Sequence, residues 1–194
     1  LILGSNGFLG KNLSKIFEND FHETKKGVKK NGVIKYKGFR DCILNEDINN
    51  IFICTVSYNN ENQDELFDIN YKLPKSVIEL VKEKNIKVFC YGSFYEKRPD
   101  KYMRNYINSK LKLLEYILNL EMNNVYYLRL EHIYGLYDKP MKFIPKIIEK
   151  IKNEKTIILD DANIVRDFTP VSYVAKVSKE LCRNNFKSKL INIG

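Results

Sequence analysis

The chain opens on an unbroken apolar run, Leu1-Ile2-Leu3, that stops at Gly4. A run without polar alternation reads as a parallel strand buried on both faces, expected to start ahead of Leu1. Residues 7–19 then place Leu9, Leu13, Ile16 and Phe17 at helical spacing. Val33-Ile34-Lys35-Tyr36 alternates and predicts an edge strand, whereas Ile51-Phe52-Ile53-Cys54-Thr55-Val56 predicts a central one. Residues 72–84 return to helical spacing with Leu73, Val77, Leu80 and Val81 inward, and Pro74 fits the first turn. A strand follows at 87–91, then a helix at 106–120 with Leu111, Leu114, Ile117 and Leu118 on one side. Val125 to Leu130 is a further strand and residues 144–152 a further helix. Strands alternating with helices, each strand apolar on both faces, predict an α/β doubly wound parallel sheet. No internal repeat, low-complexity tract or long linker divides residues 1–194, so a single domain is expected.

Composition narrows the class. A chain of 194 residues, 44% hydrophobic, can bury one sizeable core. Cys42, Cys54, Cys90 and Cys182 are scattered without a C-x-x-C pair, which excludes a disulfide scaffold. His22 and His132 are the only histidines, too few for Cys/His zinc clusters, so no metal is expected. No apolar run approaches the ~18 residues of a membrane helix, and no signal peptide precedes Gly4. These features predict a cytoplasmic protein without a membrane partner. Lys plus Arg is 33 against 24 acidic residues, a net charge of +9. The lysines are interleaved with Glu and Asn and are densest at Lys25, Lys26, Lys29 and Lys30. Without an Arg-rich stripe or an aromatic RNA platform, this reads as a solvated basic surface, and no nucleic-acid partner is expected.

The first strand runs into Gly4-Ser5-Asn6-Gly7-Phe8-Leu9-Gly10 and then a helix, a G-x-x-G-x-x-G turn. In that place one glycine permits the tight turn, one lets backbone approach a pyrophosphate and one packs helix on strand. The helix start offers free N–H groups to the phosphates. The turn therefore predicts a Rossmann-type dinucleotide site at Gly4, Asn6, Gly7, Phe8, Leu9 and Gly10; glycines kept for packing alone are the other reading. The ribose-reading position falls near Lys25, Lys26 and Gly27. Lysines there suit a 2′-phosphate, which favours NADP(H) over NAD(H), although the same residues belong to the solvated basic run.

Tyr106 and Lys110 stand four apart, on one face of the helix at 106–120. A neighbouring ammonium favours a phenolate, so the Tyr106 pKa is expected to be lowered and its proton available near neutral pH. A surface pair at the same spacing is the bland alternative. Ser93 follows the strand at 87–91, where a hydroxyl at the carboxyl edge of a parallel sheet faces the crevice.

In this order the motifs resemble the extended short-chain dehydrogenase/reductase family, the NAD(P)-dependent sugar-nucleotide epimerases, dehydratases and reductases. Gly4, Gly7 and Gly10 match its glycine motif, and Gly38-Phe39-Arg40-Asp41 resembles its G-D-x-x-D turn with Phe39 in place of the usual Asp. Asp68-Ile69-Asn70 resembles D-x-N, and Tyr106-x-x-Ser109-Lys110 with Glu115 matches Y-x-x-S-K-x-x-x-x-E. Arg129-Leu130-Glu131-His132-Ile133-Tyr134-Gly135 resembles R-x-x-N-V-Y-G with His132 where Asn is usual. Phe143-Ile144-Pro145, Arg166-Asp167-Phe168-Thr169-Pro170-Val171 and Asn192-Ile193-Gly194 resemble later landmarks.

The resemblance implies a catalytic set of Ser93, Tyr106, Lys110 and Asn70. Tyr106 would be the general acid or base, Lys110 would also hold the nicotinamide ribose, and Asn70 would hold the hydrogen-bond chain. Ser93, His132 and Arg166 would meet the substrate; a packed His132 and an Arg166 ion pair with Asp167 are equally open. Gly92-Ser93-Phe94-Tyr95 departs from the Thr-Asp-Glu of the 4,6-dehydratases, which leaves a 4-ketoreductase or a 4-epimerase. The segment from Leu130 through Asp138 to Pro145 looks most like the CDP-abequose/CDP-paratose synthase branch, which acts on a CDP-4-keto-3,6-dideoxyhexose in making surface-polysaccharide precursors. Reductase is the first expectation, 4-epimerase the second and a non-catalytic NAD(P)-binding regulator the third. The resemblance also implies a homodimer through the helices at 72–84 and 106–120, and a chain that continues into a C-terminal substrate lobe.

Overall fold

The computed structural model describes residues 1–17, 24–25, 28–30, 33–35, 39–45, 47–59, 61–97, 103–159 and 163–194, with residues 24–25, 28–30, 33–35, 39 and 45 described by backbone alone. A parallel sheet of six strands forms the centre: β1 (Ile2–Leu3), β2 (Thr24–Lys25), β5 (Asn50–Ile53), β6 (Lys87–Ser93), β7 (Val125–Leu130) and β10 (Leu190–Ile193). Their spatial order is β10-β7-β6-β5-β1-β2, every pair parallel. The sheet grows outward in both directions from β1. The crevice at the carboxyl ends of β1 and β5 is therefore the switch point at which doubly wound folds bind ligands.

Alternation along the strands divides the core. Leu3, Ile51, Ile53, Val88, Cys90, Val125 and Tyr127 face α4 (Leu73–Leu80) and α5 (Arg104–Leu118). Ile2, Phe52, Phe89, Tyr91, Tyr126 and Leu128 face α1 (Phe8–Phe17) and α7 (Val171–Arg183). Across that second face Phe17, Phe52, Phe89 and Tyr126 form a row with centroids 5.2, 4.9 and 5.3 Å apart. Each such contact contributes about 0.5–1.5 kcal/mol beyond its buried area.

Several elements differ from the pattern-based expectation. Val33–Lys35 (β4) pairs antiparallel with Val28–Lys30 (β3) as a separate hairpin and is not an edge strand of the main sheet. The helix expected from residue 72 begins at α3 (Gln63–Phe67), capped by Asn62, and runs on through one widened turn, Asp68–Lys72, into α4. There Leu73 N–H reaches back five residues to Asp68 O. Pro74 explains the widening: its ring would collide with the carbonyl four residues back, and it has no N–H to give. On α5 Leu114 and Ile117 are buried as the spacing predicts, with Leu113 beside them, while Leu111 and Leu118 lie exposed. The remaining elements are α2 (Phe39–Asn45), a one-turn helix Phe94–Lys97, the small parallel pair β8 (His132–Tyr134) with β9 (Phe168–Pro170), and α6 (Phe143–Lys152), which buries none of its residues. Among the described residues no helix is long and apolar enough to cross a membrane, and no cluster of His, Cys, Asp and Glu has metal-ligand geometry.

Candidate active site

The glycine turn is defined by what a side chain would strike. Gly4 has φ +84°, and a Cβ there would sit 2.9 Å from the backbone of Cys54 and Thr55, on the neighbouring strand end. At Gly10 a Cβ would fall 2.2 Å from Gly4 O. Gly7 N–H donates to Gly4 O at 3.0 Å, and the first helical bond of α1 is Lys11 N–H to Gly7 O at 2.9 Å. The N–H groups of Phe8, Leu9 and Gly10 precede that bond and have no intrahelical acceptor. Asn6 and Gly7 are exposed at the lip, and Leu9 and Gly10 are buried beneath it. The hydroxyls of Ser5 and Thr55 are buried without a hydrogen-bond partner at this same crevice. Backbone donors, a helix start and two unpaired hydroxyls suit the pyrophosphate and ribose of a dinucleotide. Asn12 fastens the helix behind the turn, its Nδ2 donating to Phe8 O and Leu136 O at 2.9 Å each. Lys25 lies on β2 opposite Leu3. Its side chain and the whole of Lys26 lie outside the described residues, as does Gly38.

Two steps along the sheet, β6 ends at Ser93, and α5 crosses above with Tyr106, Ser109 and Lys110 on its buried face. Tyr106 is 3% exposed, and the Ser93 and Tyr58 side chains are the hydrogen-bonding neighbours of its phenol. Lys110 Nζ donates to Tyr91 O at 2.9 Å, tying α5 to β6 two residues before Ser93. An ammonium has three donors, so this bond leaves others for a ligand. Asn70 sits in the widened turn, fully buried. Its Oδ1 accepts Ser57 N–H at 2.9 Å, and its Nδ2 donates to Ser57 O at 2.9 Å and Ser109 Oγ at 3.1 Å. Ser109 Oγ donates in turn to Tyr106 O at 2.7 Å. The chain of bonds thus runs from the loop after β5, through Asn70, to the backbone of the tyrosine.

The expected lowering of the Tyr106 pKa is corrected by this geometry. Burial pushes the phenol well above its ordinary 10.0, and Tyr58 and Glu96 push the same way against the Ser93 hydroxyl. The Tyr58 ring stacks on Tyr106 at 4.9 Å, and Tyr95 meets it edge-on at 6.4 Å, so the phenol stands in an aromatic enclosure. Burial also lowers the Lys110 pKa, opposed chiefly by Glu96. The ammonium of Lys110 does not offset the enclosure of the phenol.

His132 is half-buried, stacked on Phe94 at 3.7 Å and tilted against Phe168 at 5.6 Å. It stands two residues past β7, at the sheet edge that carries Ser93. Arg166 is exposed two residues ahead of Phe168, and its Nη1 meets Val165 O at 3.5 Å; no ion pair with Asp167 is present. Ser93, Tyr106, Asn70 and Lys110 thus come together, His132 lies beside them, and Arg166 stands apart in solvent.

Over residues 1–194 the sequence matches the model of the NAD-dependent epimerase/dehydratase family. The chain belongs to that family. A curated relative, CDP-abequose synthase of Salmonella muenchen, is 33% identical over an alignment of 132 residues that covers 64% of this chain and 45% of the relative. The chain thus spans less than half the length of that relative. Among solved structures, dTDP-4-dehydrorhamnose reductase of Bacillus anthracis in complex with NADP superposes with a TM-score of 0.77 at 17% identity, covering 100% of this chain and 73% of that one. dTDP-glucose 4,6-dehydratase of the same organism, in complex with NAD, gives 0.72 at 19% identity over 100% and 74%. These two likenesses establish the fold.

Within this epimerase/dehydratase fold, three side chains at the site were not singled out by sequence. Tyr58 follows the β5 run by five residues and carries no motif. Glu96 stands three after Ser93, and that S-x-x-E spacing was a usable signal. Tyr127 reads as an ordinary buried strand residue until its hydroxyl is seen on Glu96.

Proposed function

We propose that the chain is the nicotinamide-binding part of a reductase that converts a 4-keto sugar nucleotide to its 4-hydroxy form with NADP(H). The substrate class we favour is a CDP-4-keto-3,6-dideoxyhexose. The observation that carries the reading is the buried phenol of Tyr106, which neighbours the Ser93 hydroxyl at the carboxyl edge of the sheet. A phenol whose pKa is raised keeps its proton at neutral pH and serves as an acid toward a ketone oxygen.

When bound, the nicotinamide supplies hydride to the carbonyl carbon. The Ser93 hydroxyl holds the ketone oxygen beside Tyr106, and the Tyr106 proton passes to that oxygen as it becomes an alcohol. Lys110 stabilises the resulting phenolate by its charge and holds a ribose hydroxyl with its remaining donors. Asn70 keeps α5 in register with the loop after β5. The glycine turn takes the pyrophosphate on the N–H groups of Phe8, Leu9 and Gly10. Where a 4,6-dehydratase needs an extra acid and base, Phe94 and Tyr95 present aromatic rings, with centroids 4.1 Å apart. Neither ring brings the carboxyl group that such an elimination uses as its acid or base.

NADPH and NADH binding, measured side by side, is the first test, followed by reduction of the CDP-linked 4-ketone at the absorbance of the reduced cofactor. Tighter NADPH binding with one cofactor oxidised per ketone supports the reductase. Interconversion of 4-epimers without net oxidation would replace it with an epimerase, and folded protein that binds neither cofactor would end the nicotinamide reading.

The chain is further proposed to pair with a second copy through α5. Leu111 and Leu118 are exposed on a shallow groove that also holds Phe67, Lys112 and Glu115. Sedimentation of Leu118→Glu, expected to be monomeric where the parent dimerises, tests this.

A further inference from the structure

Ser93 and Glu96 have the spacing of a capping box, in which a glutamate of the first turn accepts the N–H of the capping residue. The turn Phe94–Lys97 is built that way. Tyr95 N lies 3.4 Å from Ser93 Oγ, and Glu96 Oε1 accepts Ser93 N–H at 2.7 Å. A capping glutamate ordinarily stands in solvent. The Glu96 side chain is 0% exposed: Arg129 Nε donates to Oε2 at 2.8 Å and Tyr127 Oη to Oε1 at 2.7 Å. Tyr127 Oη also lies 3.2 Å from Lys110 O, so one carboxylate links the ends of β6 and β7 to α5. Gly92 makes the room. A Cβ there would fall 2.2 Å from Tyr127 Cε1 and 2.6 Å from Glu96 Oε1. A buried ion pair is costly to desolvate, and apolar packing would hold a one-turn helix as well. The charge itself therefore calls for a use.

We propose that Glu96 is a positioning residue for the chemistry at Tyr106: held by Arg129 and Tyr127, it fixes the Ser93 main chain from behind and sets a negative charge beside Lys110. The proposal rests on the roles given above to Ser93, Tyr106 and Lys110. The groups facing Lys110 are Glu96, Cys90 and Cys54. Burial pushes the Cys90 thiol up to about 12 and Cys54 upward too, so both are neutral. Glu96 is then the negative charge that favours the ammonium form of Lys110 against its burial. Facing Tyr106 are Tyr58, Ser93 and again Glu96, which disfavours the phenolate. Removing the charge lowers both pKa values. The alkaline limb of the reduction, where either proton is lost, must move to lower pH.

Glu96→Gln keeps an acceptor for Ser93 N–H and removes the charge; Glu96→Asp keeps the charge and withdraws it from Ser93. In protein labelled with [ε-13C]lysine, with the Lys110 resonance assigned by its loss in Lys110→Arg, Lys110 is expected to titrate about a pH unit lower in Glu96→Gln. It should titrate as in the parent in Glu96→Asp. This readout needs no turnover, so it stands whether or not the chain reduces a sugar nucleotide. With NADPH and the CDP-linked 4-ketone, the alkaline limb of kcat is expected to shift down in Glu96→Gln with KM little changed. Glu96→Asp should lose kcat without that shift. A folded Glu96→Gln protein with an unmoved Lys110 titration overturns the proposal. Should Glu96→Gln not fold, a folded Glu96→Asp protein that keeps the parent's kcat overturns it equally.

Discussion

The two halves of the candidate site are made of different material. Around Gly4, Gly7 and Gly10 the binding groups are backbone N–H, and the glycines matter for the atoms they lack. Around Ser93, Tyr106 and Lys110 the working groups are side chains, each held by another side chain or a carbonyl. A cradle of backbone fails by collision when a carbon is added. A cluster of buried side chains fails when a proton, a charge or a hydrogen-bond partner is removed. The contrast teaches that binding and turnover should separate cleanly under substitution.

Tyr106→Phe tests the separation most severely. It deletes the proton and keeps the ring, so turnover should fall about 10²–10⁴-fold while NADPH affinity is little changed. Equal losses in both would merge the two halves. The mirror experiment is Gly10→Ala, whose Cβ would meet Gly4 O at 2.2 Å. Overpacking there is expected to cost about 1–3 kcal/mol of stability and to abolish cofactor binding, whereas Asn6→Ala, at the exposed lip, should leave stability unaltered. Calorimetric titration and urea denaturation read both.

Asn70→Leu probes the join between the halves. It leaves Ser57 N–H and O and the Ser109 hydroxyl without their partner, a loss of about 1–3 kcal/mol by urea denaturation. The smallest effect is the pH dependence of stability. Burial holds the Lys110 pKa below its ordinary 10.5. Between that lowered value and 10.5 the unfolded chain binds the extra proton, so Lys110's own contribution to stability rises with pH there, by at most about 1.4 kcal/mol per pH unit. Lys110→Met should flatten the rise. Tyr106 acts with the opposite sign: folded protein keeps a proton that the unfolded chain loses above 10.0, so stability falls there, and Tyr106→Phe should lessen a fall that Tyr91 and Tyr127 share.

The backbone half was the easier to read from sequence. Glycine spacing after an apolar run encodes a steric demand directly, and Gly4 and Gly10 show the close approaches such a turn requires. The side-chain half was legible only in part. Tyr106, Ser109 and Lys110 are local in sequence, so their shared helix face follows from periodicity. Their electrostatics do not, because the enclosure comes from Tyr58, Tyr95 and Glu96 on other segments. The inward face of α5 was misjudged for a related reason. Leu111 and Leu118 fit the apolar stripe, yet the sheet lies on the side of Leu113, Leu114 and Ile117. A hydrophobic pattern reports apolar faces without saying whether this chain's own core covers them.

The widened turn at Asp68–Lys72 has a bearing on how the chain tolerates length change. It holds one residue more than a regular helix would need to span the same rise, and Asn70 is within it. Each residue of a regular helix advances about 100° around the axis. Deleting one residue between Asp68 and Lys72 would close the turn to a regular spiral with α3 and α4 still in phase, and would move the residues of the turn itself around the axis. The sealed amide would rotate off Ser57 and Ser109, although no chemical group of the site had been altered. Length here is a coordinate of the candidate site as much as identity is: the helix through residues 63–80 takes up one extra residue in a single wide turn, and that residue sets where Asn70 points without moving either end.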